Sequence, residues 1–171
     1  MSEEYDEWYD KEHGAMPKFV LGKGIDVPEE TVERTEESVK KDLDLYFEAL
    51  GQKESSGNPK ARNVKENALG LYQIRPAFWS DGVGQLVKEG LDEAKTWKHE
   101  VDAFDPEKAR LVTMGYMKRY IPSRLRALDF IGMARTHNGG PKGAKRRSTD
   151  KYGRDFDVIL KGLRDGQKTE N

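Results

Sequence analysis

Apolar residues keep helical spacing over several separate stretches of this chain, and no long stretch alternates as a strand would, so the pattern predicts a mainly α protein. Val32, Val39, Leu43, Tyr46, Phe47 and Leu50 fall on one helical face. Pro28 and Glu29-Glu30 suit the start of that helix, which is expected to run to about Gln52. Glu54 then stands at or just past its C-terminal end. Residues 55–67 read as turns, with Gly57, Asn58, Pro59, Asn63 and Asn67 among them. Leu71-Tyr72-Gln73-Ile74 is a short apolar segment, either a strand or an irregular crossing. Pro76 to Trp79 leads into a short helix that a turn at Gly82-Val83-Gly84 is expected to end.

Further along, Asp105-Pro106-Glu107 combines an N-cap, a first-turn proline and an acid placed on the helix dipole. The helix it opens carries Leu111, Val112, Met114, Tyr116 and Met117 to Ile121, where Pro122 stops it. Ser123 is expected to cap a further helix with Leu125, Leu128, Ile131 and Ala134, ending at His137-Asn138-Gly139-Gly140-Pro141. A basic loop of Lys142, Lys145, Arg146 and Arg147 precedes a last helix with Phe156, Ile159, Leu160 and Leu163. The expected organisation is an irregular acidic arm over residues 1–27, one domain over 28–165 and a flexible tail over 166–171.

A chain of 171 residues is long enough to bury a core of its own. No run of about 18 apolar residues exists, so no membrane-spanning helix is expected. The first residues, Met1-Ser2-Glu3-Glu4-Tyr5-Asp6, lack the basic-then-apolar pattern of a signal peptide. With no cysteine there is neither a disulfide framework nor thiolate chemistry, and synthesis in a reducing cytoplasm is the expectation. The net charge of −1 conceals a gradient: 14 acids against 6 bases in residues 1–44, and 8 against 16 in residues 105–171. A basic half suits an anionic polymer, whether cell wall or nucleic acid, though it serves equally as a solvated face. His13, His99 and His137 are scattered without metal-ligand spacing, and Gly22-Lys23-Gly24 is too short for a phosphate loop, so neither a metal nor a cofactor is expected.

On its own, Glu54 is an ordinary helix-end glutamate. What singles it out is the sequence that follows: Glu54-Ser55-Ser56-Gly57-Asn58-Pro59-x-Ala61, then Ala68-x-Gly70-Leu71-x-Gln73-Ile74-x-Pro76. This order resembles the catalytic core of the lysozyme-like superfamily, in particular soluble lytic transglycosylases and goose-type lysozymes. The resemblance implies a two-lobed helical domain with a substrate groove and at most a small β element. It implies that Glu54 is the acid, that Ser55 lines the site, and that Gly70 and Gln73 contact sugar. Where that family usually has Met this chain has Tyr72, which is expected to stack on a sugar face. Trp79, Tyr116, Tyr120 and Tyr152 are further aromatics, expected mostly in the core. Breaking a glycosidic bond needs an acid still protonated near neutral pH, and burial raises a carboxyl's pKa.

Tyr116-Met117-Lys118-Arg119-Tyr120 and Ala134-Arg135-Thr136-His137-Asn138-Gly139-Gly140-Pro141-Lys142-Gly143 are similar to segments of invertebrate-type lysozymes, which, unlike this chain, are rich in disulfides. In transglycosylases the second segment reads Tyr-Asn-Ala-Gly-Pro, which carries the roles of approaching the acid and contacting substrate to His137 and Asn138. A neutral His137 would hydrogen-bond the Glu54 carboxyl. The candidates for a second carboxylate are Glu66 and Asp81. A retaining hydrolase needs two carboxyls about 5 Å apart and an inverting one about 6.5–9.5 Å. Transglycosylases need none, because the N-acetyl and 6-hydroxyl groups of the substrate complete the reaction.

The resemblance therefore implies a peptidoglycan muramidase cleaving the β-1,4 bond between N-acetylmuramic acid and N-acetylglucosamine, by hydrolysis or by lyase chemistry. Peptidoglycan glycan strands are the expected partner and nucleic acid is not. A domain with neither signal peptide nor cysteines suits a phage lysin or virion enzyme, released by a holin or delivered by the particle. The alternative is a catalytically inactive glycan-binding or nucleic-acid-binding module on the same fold.

Overall fold

A computed structural model describes residues 34–169, with side chains to residue 167. The expected N-terminal arm and the helix start at Pro28 lie outside the described residues. The chain divides into two compact units, residues 1–43 and 44–171. Of the first, the described part is the opening of helix α1 (Glu36–Ser55), where Thr35 Oγ1 accepts from the Ser38 N–H at 3.2 Å and Lys41 pairs with Glu37 one turn away.

The second unit is mainly helical, as the periodicity predicts. It holds the rest of α1, then a two-residue hairpin pairing β1 (Arg62–Asn63) antiparallel with β2 (Ala68–Leu69). After it come α2 (Pro76–Lys88), a 3-10 turn (Asp92–Thr96), α3 (His99–Asp102), α4 (Pro106–Tyr120), α5 (Pro122–Arg126) and α6 (Phe130–Gly139). Two short 3-10 turns, Gly143–Lys145 and Arg147–Thr149, lead into α7 (Asp150–Thr169). Thus α7 runs on past residue 165, where a tail was expected to begin. Among the described residues no helix is long and apolar enough to cross a membrane.

The Asp105 cap forms as read: its carboxylate accepts from the N–H groups of Glu107 (2.9 Å) and Lys108 (3.2 Å), with Pro106 in the first turn. The Gly82-Val83-Gly84 turn does not form. Both glycines lie inside α2, which continues to Lys88. A Cβ on Gly82 would lie 2.2 Å from the Val112 carbonyl oxygen, and one on Gly115 would lie 2.6 Å from the Gly82 carbonyl oxygen. The glycines let α2 and α4 cross backbone against backbone, and that packing outweighs the roughly 1 kcal/mol a mid-helix glycine costs. The single helix expected from Ser123 is broken as well. Leu128 adopts a left-handed φ of 51°, and Asp129, not Ser123, caps the second piece by accepting from the Gly132 N–H at 2.9 Å.

Tyr46, Phe130 and Phe156 bring α1, α6 and α7 together, with ring centroids 5.3 and 5.6 Å from Tyr46. This aromatic centre is almost wholly buried, and it sets the middle of α1 against α7.

Candidate active site

Glu54 lies within the last turn of α1, which ends at Ser55, slightly later than the periodicity places it. The chain then reverses at once. Ser56 and Gly57 take positive φ values of 54° and 79°, and their N–H groups donate to the Gln52 and Gly51 carbonyls, both at 3.1 Å. The Ser55 hydroxyl donates to the Leu71 carbonyl at 2.8 Å, with the Gly51 carbonyl as a second acceptor at 3.2 Å. The second half of the motif is thereby tied over the helix end. Ser55 works as a brace for the loop and does not line the cleft.

Gly70 is also structural. Its φ is 76°, and a Cβ there would lie 1.8 Å from the Ala103 carbonyl oxygen. Its N–H donates to the Ala61 carbonyl at 2.9 Å, and its own carbonyl accepts from the Gln73 side chain at 2.9 Å. Gln73, itself left-handed with φ 48°, is thus held at the cleft wall. Tyr72 departs from expectation. Its ring is buried against Phe47, with centroids 5.4 Å apart, and is not offered to a sugar. Burial pushes its phenol up to about 12. With Gln73 turned towards the cleft by its left-handed φ, the neighbouring Tyr72 side chain points into the core.

The cleft is walled by Glu54, Gln73, Arg75, Phe78, Tyr116, His137 and Asn138, with Ile74, Ala77 and Gly140 completing it. Helix α6 delivers His137 and Asn138 beside Glu54, as the sequence order implies. The expected histidine–glutamate hydrogen bond is replaced by another contact. His137 Nε2 is 2.8 Å from the Tyr72 carbonyl oxygen, which can only accept, so Nε2 carries the proton and donates there. Its distance to Glu54 Oε1 is 3.9 Å. Nδ1 is buried and finds no partner among the described residues.

Desolvation lowers the His137 pKa below its ordinary value, opposed by the Glu54 charge and the Tyr72 carbonyl and reinforced by Arg75. The imidazole is therefore neutral in the folded protein around neutral pH. The unfolded chain takes up a proton as pH falls through about 6.5 while the folded site resists, so this residue costs stability on acidification, by at most about 1.4 kcal/mol per pH unit. His137→Gln keeps a donor for the Tyr72 carbonyl but cannot titrate. Denaturant midpoints measured from pH 7 down to 5 are expected to fall less steeply in this variant than in the wild type; parallel profiles would contradict the assignment.

The hydrogen bond that Glu54 does receive comes from Tyr152, near the start of α7, whose phenol donates to Oε1. Burial first, and then the charge and hydrogen bond of Glu54, push the Tyr152 phenol far above its ordinary range, so it remains a donor at any working pH. Lys53 lies 5.2 Å over the Tyr152 ring and pairs with Asp155 at 3.2 Å, fastening α1 to α7 on either side of this contact. Tyr152, expected with the aromatics of the core, takes a role at the acid that its sequence context does not announce. The available signal was its place four residues before Phe156, on the buried face of the last helix.

Two other aromatics of the wall, Phe78 and Tyr116, stack at 3.7 Å with an interplanar angle of 11°. Tyr116 is as buried as Tyr72, and Phe78, half-buried, is the more exposed aromatic ring of the wall. Neither candidate second carboxylate joins Glu54. Glu66 is half exposed and pairs with Arg75 at 2.7 Å. Asp81 accepts from the Tyr120 hydroxyl at 2.9 Å and lies 3.8 Å from Arg119. Both carboxylates lie outside the cleft wall, where Glu54 is the one acid among the described residues.

A mainly helical domain with a helix-end glutamate at the wall of such a cleft places this protein in the lysozyme-like class. Residues 33–159 match the transglycosylase SLT domain family, and the chain belongs to that family. It is 37% identical over 85 residues to a lysozyme of Meretrix lusoria, covering 50% of this chain and 62% of that relative. It is 34% identical over 85 residues to a lysozyme of Ostrea edulis, covering 50% and 55%. The chain thus spans less than two thirds of the length of these curated relatives. The fold matches a chain in the crystal structure of Aeromonas hydrophila PliI in complex with Meretrix lusoria lysozyme, with a TM-score of 0.52 and 26% identity. That match covers 67% of this chain and 88% of the other. The resemblance to lytic transglycosylases and lysozymes read from the sequence therefore holds.

Proposed function

We propose that the protein cleaves the β-1,4 bond between N-acetylmuramic acid and N-acetylglucosamine in peptidoglycan, with Glu54 as general acid and then general base. The observation that carries this reading is the isolation of Glu54: one carboxyl at the wall of a cleft, its Oε1 engaged by a phenol that stays protonated. With Oε1 accepting from Tyr152, the proton given to the glycosidic oxygen is assigned to Oε2. Its transfer to the glycosidic oxygen releases the leaving sugar, and the carboxylate that results keeps the Tyr152 hydrogen bond. A hydrogen bond to a charged acceptor is worth about 1.5–3 kcal/mol, so Tyr152 favours the state reached after proton transfer.

With Glu66 and Asp81 engaged elsewhere, the substrate is the better source of the second group. On this reading its N-acetyl oxygen closes on the anomeric carbon as the bond breaks. Glu54 then takes the proton of the 6-hydroxyl, whose oxygen displaces the N-acetyl group and forms the 1,6-anhydro ring. Phe78, half-buried in the wall, offers an apolar face to one sugar, and Gln73 and Asn138 offer amides to its polar substituents. The names of the lysozyme relatives support the same substrate class. Mass spectrometry of products released from purified peptidoglycan tests the proposal. Anhydro ends are the expected result; reducing ends alone would mean that water, activated by another group, completes the reaction.

A further inference from the structure

The turn that leaves the cleft carries cations for which the reaction above has no use. Gly140 forms part of the cleft wall, and its carbonyl accepts from the Gly143 N–H at 2.7 Å, so Lys142 sits in a tight turn anchored on that wall. Lys142, Lys145, Arg146 and Arg147 are all exposed. Arg146 folds back and donates to the Gly139 carbonyl at 3.1 Å. No described carboxylate pairs with Lys142, Lys145 or Arg147. The adjacent acid, Asp150, is taken by Arg135 at 2.6 Å.

The backbone beneath these cations is fixed. The Thr149 hydroxyl donates to the Gly143 carbonyl at 2.6 Å and accepts from Arg135 Nε at 3.1 Å, while Arg135 Nη2 donates to the Arg146 carbonyl at 2.8 Å. Gly143 is pressed against the chain, and a Cβ there would lie 2.1 Å from the Arg135 carbonyl oxygen. A solvated charge run has no need of such a scaffold, and gathering like charges on it costs stability through repulsion. The cations are confined to the short loop that follows the cleft-wall residue Gly140. A backbone-tracking stripe with interleaved aromatics, as single-stranded nucleic acid requires, is not what they form.

We propose that Lys142, Lys145 and Arg147 bind the carboxylates of the peptides that branch from the glycan strand, so that the enzyme prefers peptide-bearing strands to bare glycan. This rests on the muramidase reading. In this proposal a strand seated against Gly140 and Asn138 carries its peptide branch, which bears several free carboxylates, over the turn that follows Gly140. Each exposed ion pair contributes a few-fold in affinity at most, and three acting on one branch are expected to give about tenfold.

Binding measured apart from turnover tests this. In the Glu54→Gln background, fluorescence anisotropy with labelled soluble strands is compared between the natural loop and the triple variant Lys142→Gln, Lys145→Gln, Arg147→Gln. On peptide-bearing strands free of phosphate polymers, the triple variant is expected to bind about tenfold more weakly. On strands stripped of peptide by an amidase, the two loops are expected to bind alike. Amidating the peptide carboxyls is expected to reproduce the loss with the natural loop. Equal binding of peptide-bearing strands overturns the proposal, as does an equal loss on stripped strands. A loss seen only on strands that retain phosphate polymers assigns the cations to phosphate and overturns it too. If the natural loop binds no glycan of any kind, the muramidase reading itself fails.

Discussion

Glu54→Gln is expected to abolish cell-wall clearing while leaving the fold intact. The amide is nearly isosteric with the acid, and its oxygen can still accept from Tyr152, so the contact between α1 and α7 survives. In the proposed mechanism what disappears is the transferable proton, and the base for the second half of the reaction goes with it. General acid–base catalysis contributes roughly 10²–10⁴ in rate, so turnover is expected to drop by at least about a hundredfold. The check pairs a zymogram or turbidity assay with a thermal melt of the same preparation. Clearing at the wild-type rate by a folded Glu54→Gln protein would remove Glu54 from the mechanism, and a lost melting transition would show a fold defect in place of a chemical one.

In the proposed mechanism Glu54 carries the chemistry alone, because the surrounding groups act on it or hold it and none duplicates it. Tyr152 stays protonated and fixes one oxygen. His137 is neutral and spends its proton on the Tyr72 carbonyl, so it supports the loop behind the acid and adds no cation beside it. The Tyr46 hydroxyl, wholly buried and without a hydrogen-bond partner among the described residues, also feels the Glu54 charge. The two groups that α6 and α7 set nearest the Glu54 carboxyl, His137 and Tyr152, are thus both neutral, which suits the proposed acid–base role.

Much of this could be read from the chain, for reasons that differ from residue to residue. Asp105-Pro106 opens a helix because its cap is local and needs nothing from the rest of the fold. Glu54, Gln73, His137 and Asn138 were found through order in the sequence, and the structure gathers all four at one cleft. The misses came where tertiary contact decides the outcome. Gly82 and Gly84 punctuate a sequence, yet both are helical, and at Gly82 the missing side chain is what lets two backbones meet. Tyr72 follows Leu71 in a motif, but which of two neighbours faces the cleft depends on the left-handed turn at Gln73. Tyr152 lies 98 residues from Glu54, and no spacing rule reaches across that interval. Glu66 and Asp81 were credible carboxylates until their partners Arg75, Tyr120 and Arg119 could be seen.

Gly70→Ala is expected to be among the most destabilising single changes available in this domain. The added Cβ would sit 1.8 Å from the Ala103 carbonyl oxygen, a backbone atom that cannot rotate away, and the residue must also hold a φ of 76°. The left-handed conformation alone costs an L-residue about 1–2 kcal/mol. Relieving the overlap requires moving the loop off the chain that follows α3, which adds overpacking strain of about 1–3 kcal/mol. A loss of about 2–5 kcal/mol in a domain of this size corresponds to a melting temperature lower by roughly 4–20 °C. The consequence reaches the chemistry, because the Gly70 carbonyl holds the Gln73 side chain, and the next two carbonyls anchor Ser55 and His137. Activity is therefore expected to fall further than the folded fraction does, which turnover per folded molecule below the melting transition would reveal. Gly57→Ala provides the control, since its φ of 79° imposes the same left-handed cost while the nearest atom to an added Cβ is the Gln52 side chain at 3.9 Å. A Gly70→Ala protein that melts no lower than Gly57→Ala would show that the approach to Ala103 is not what makes the glycine necessary.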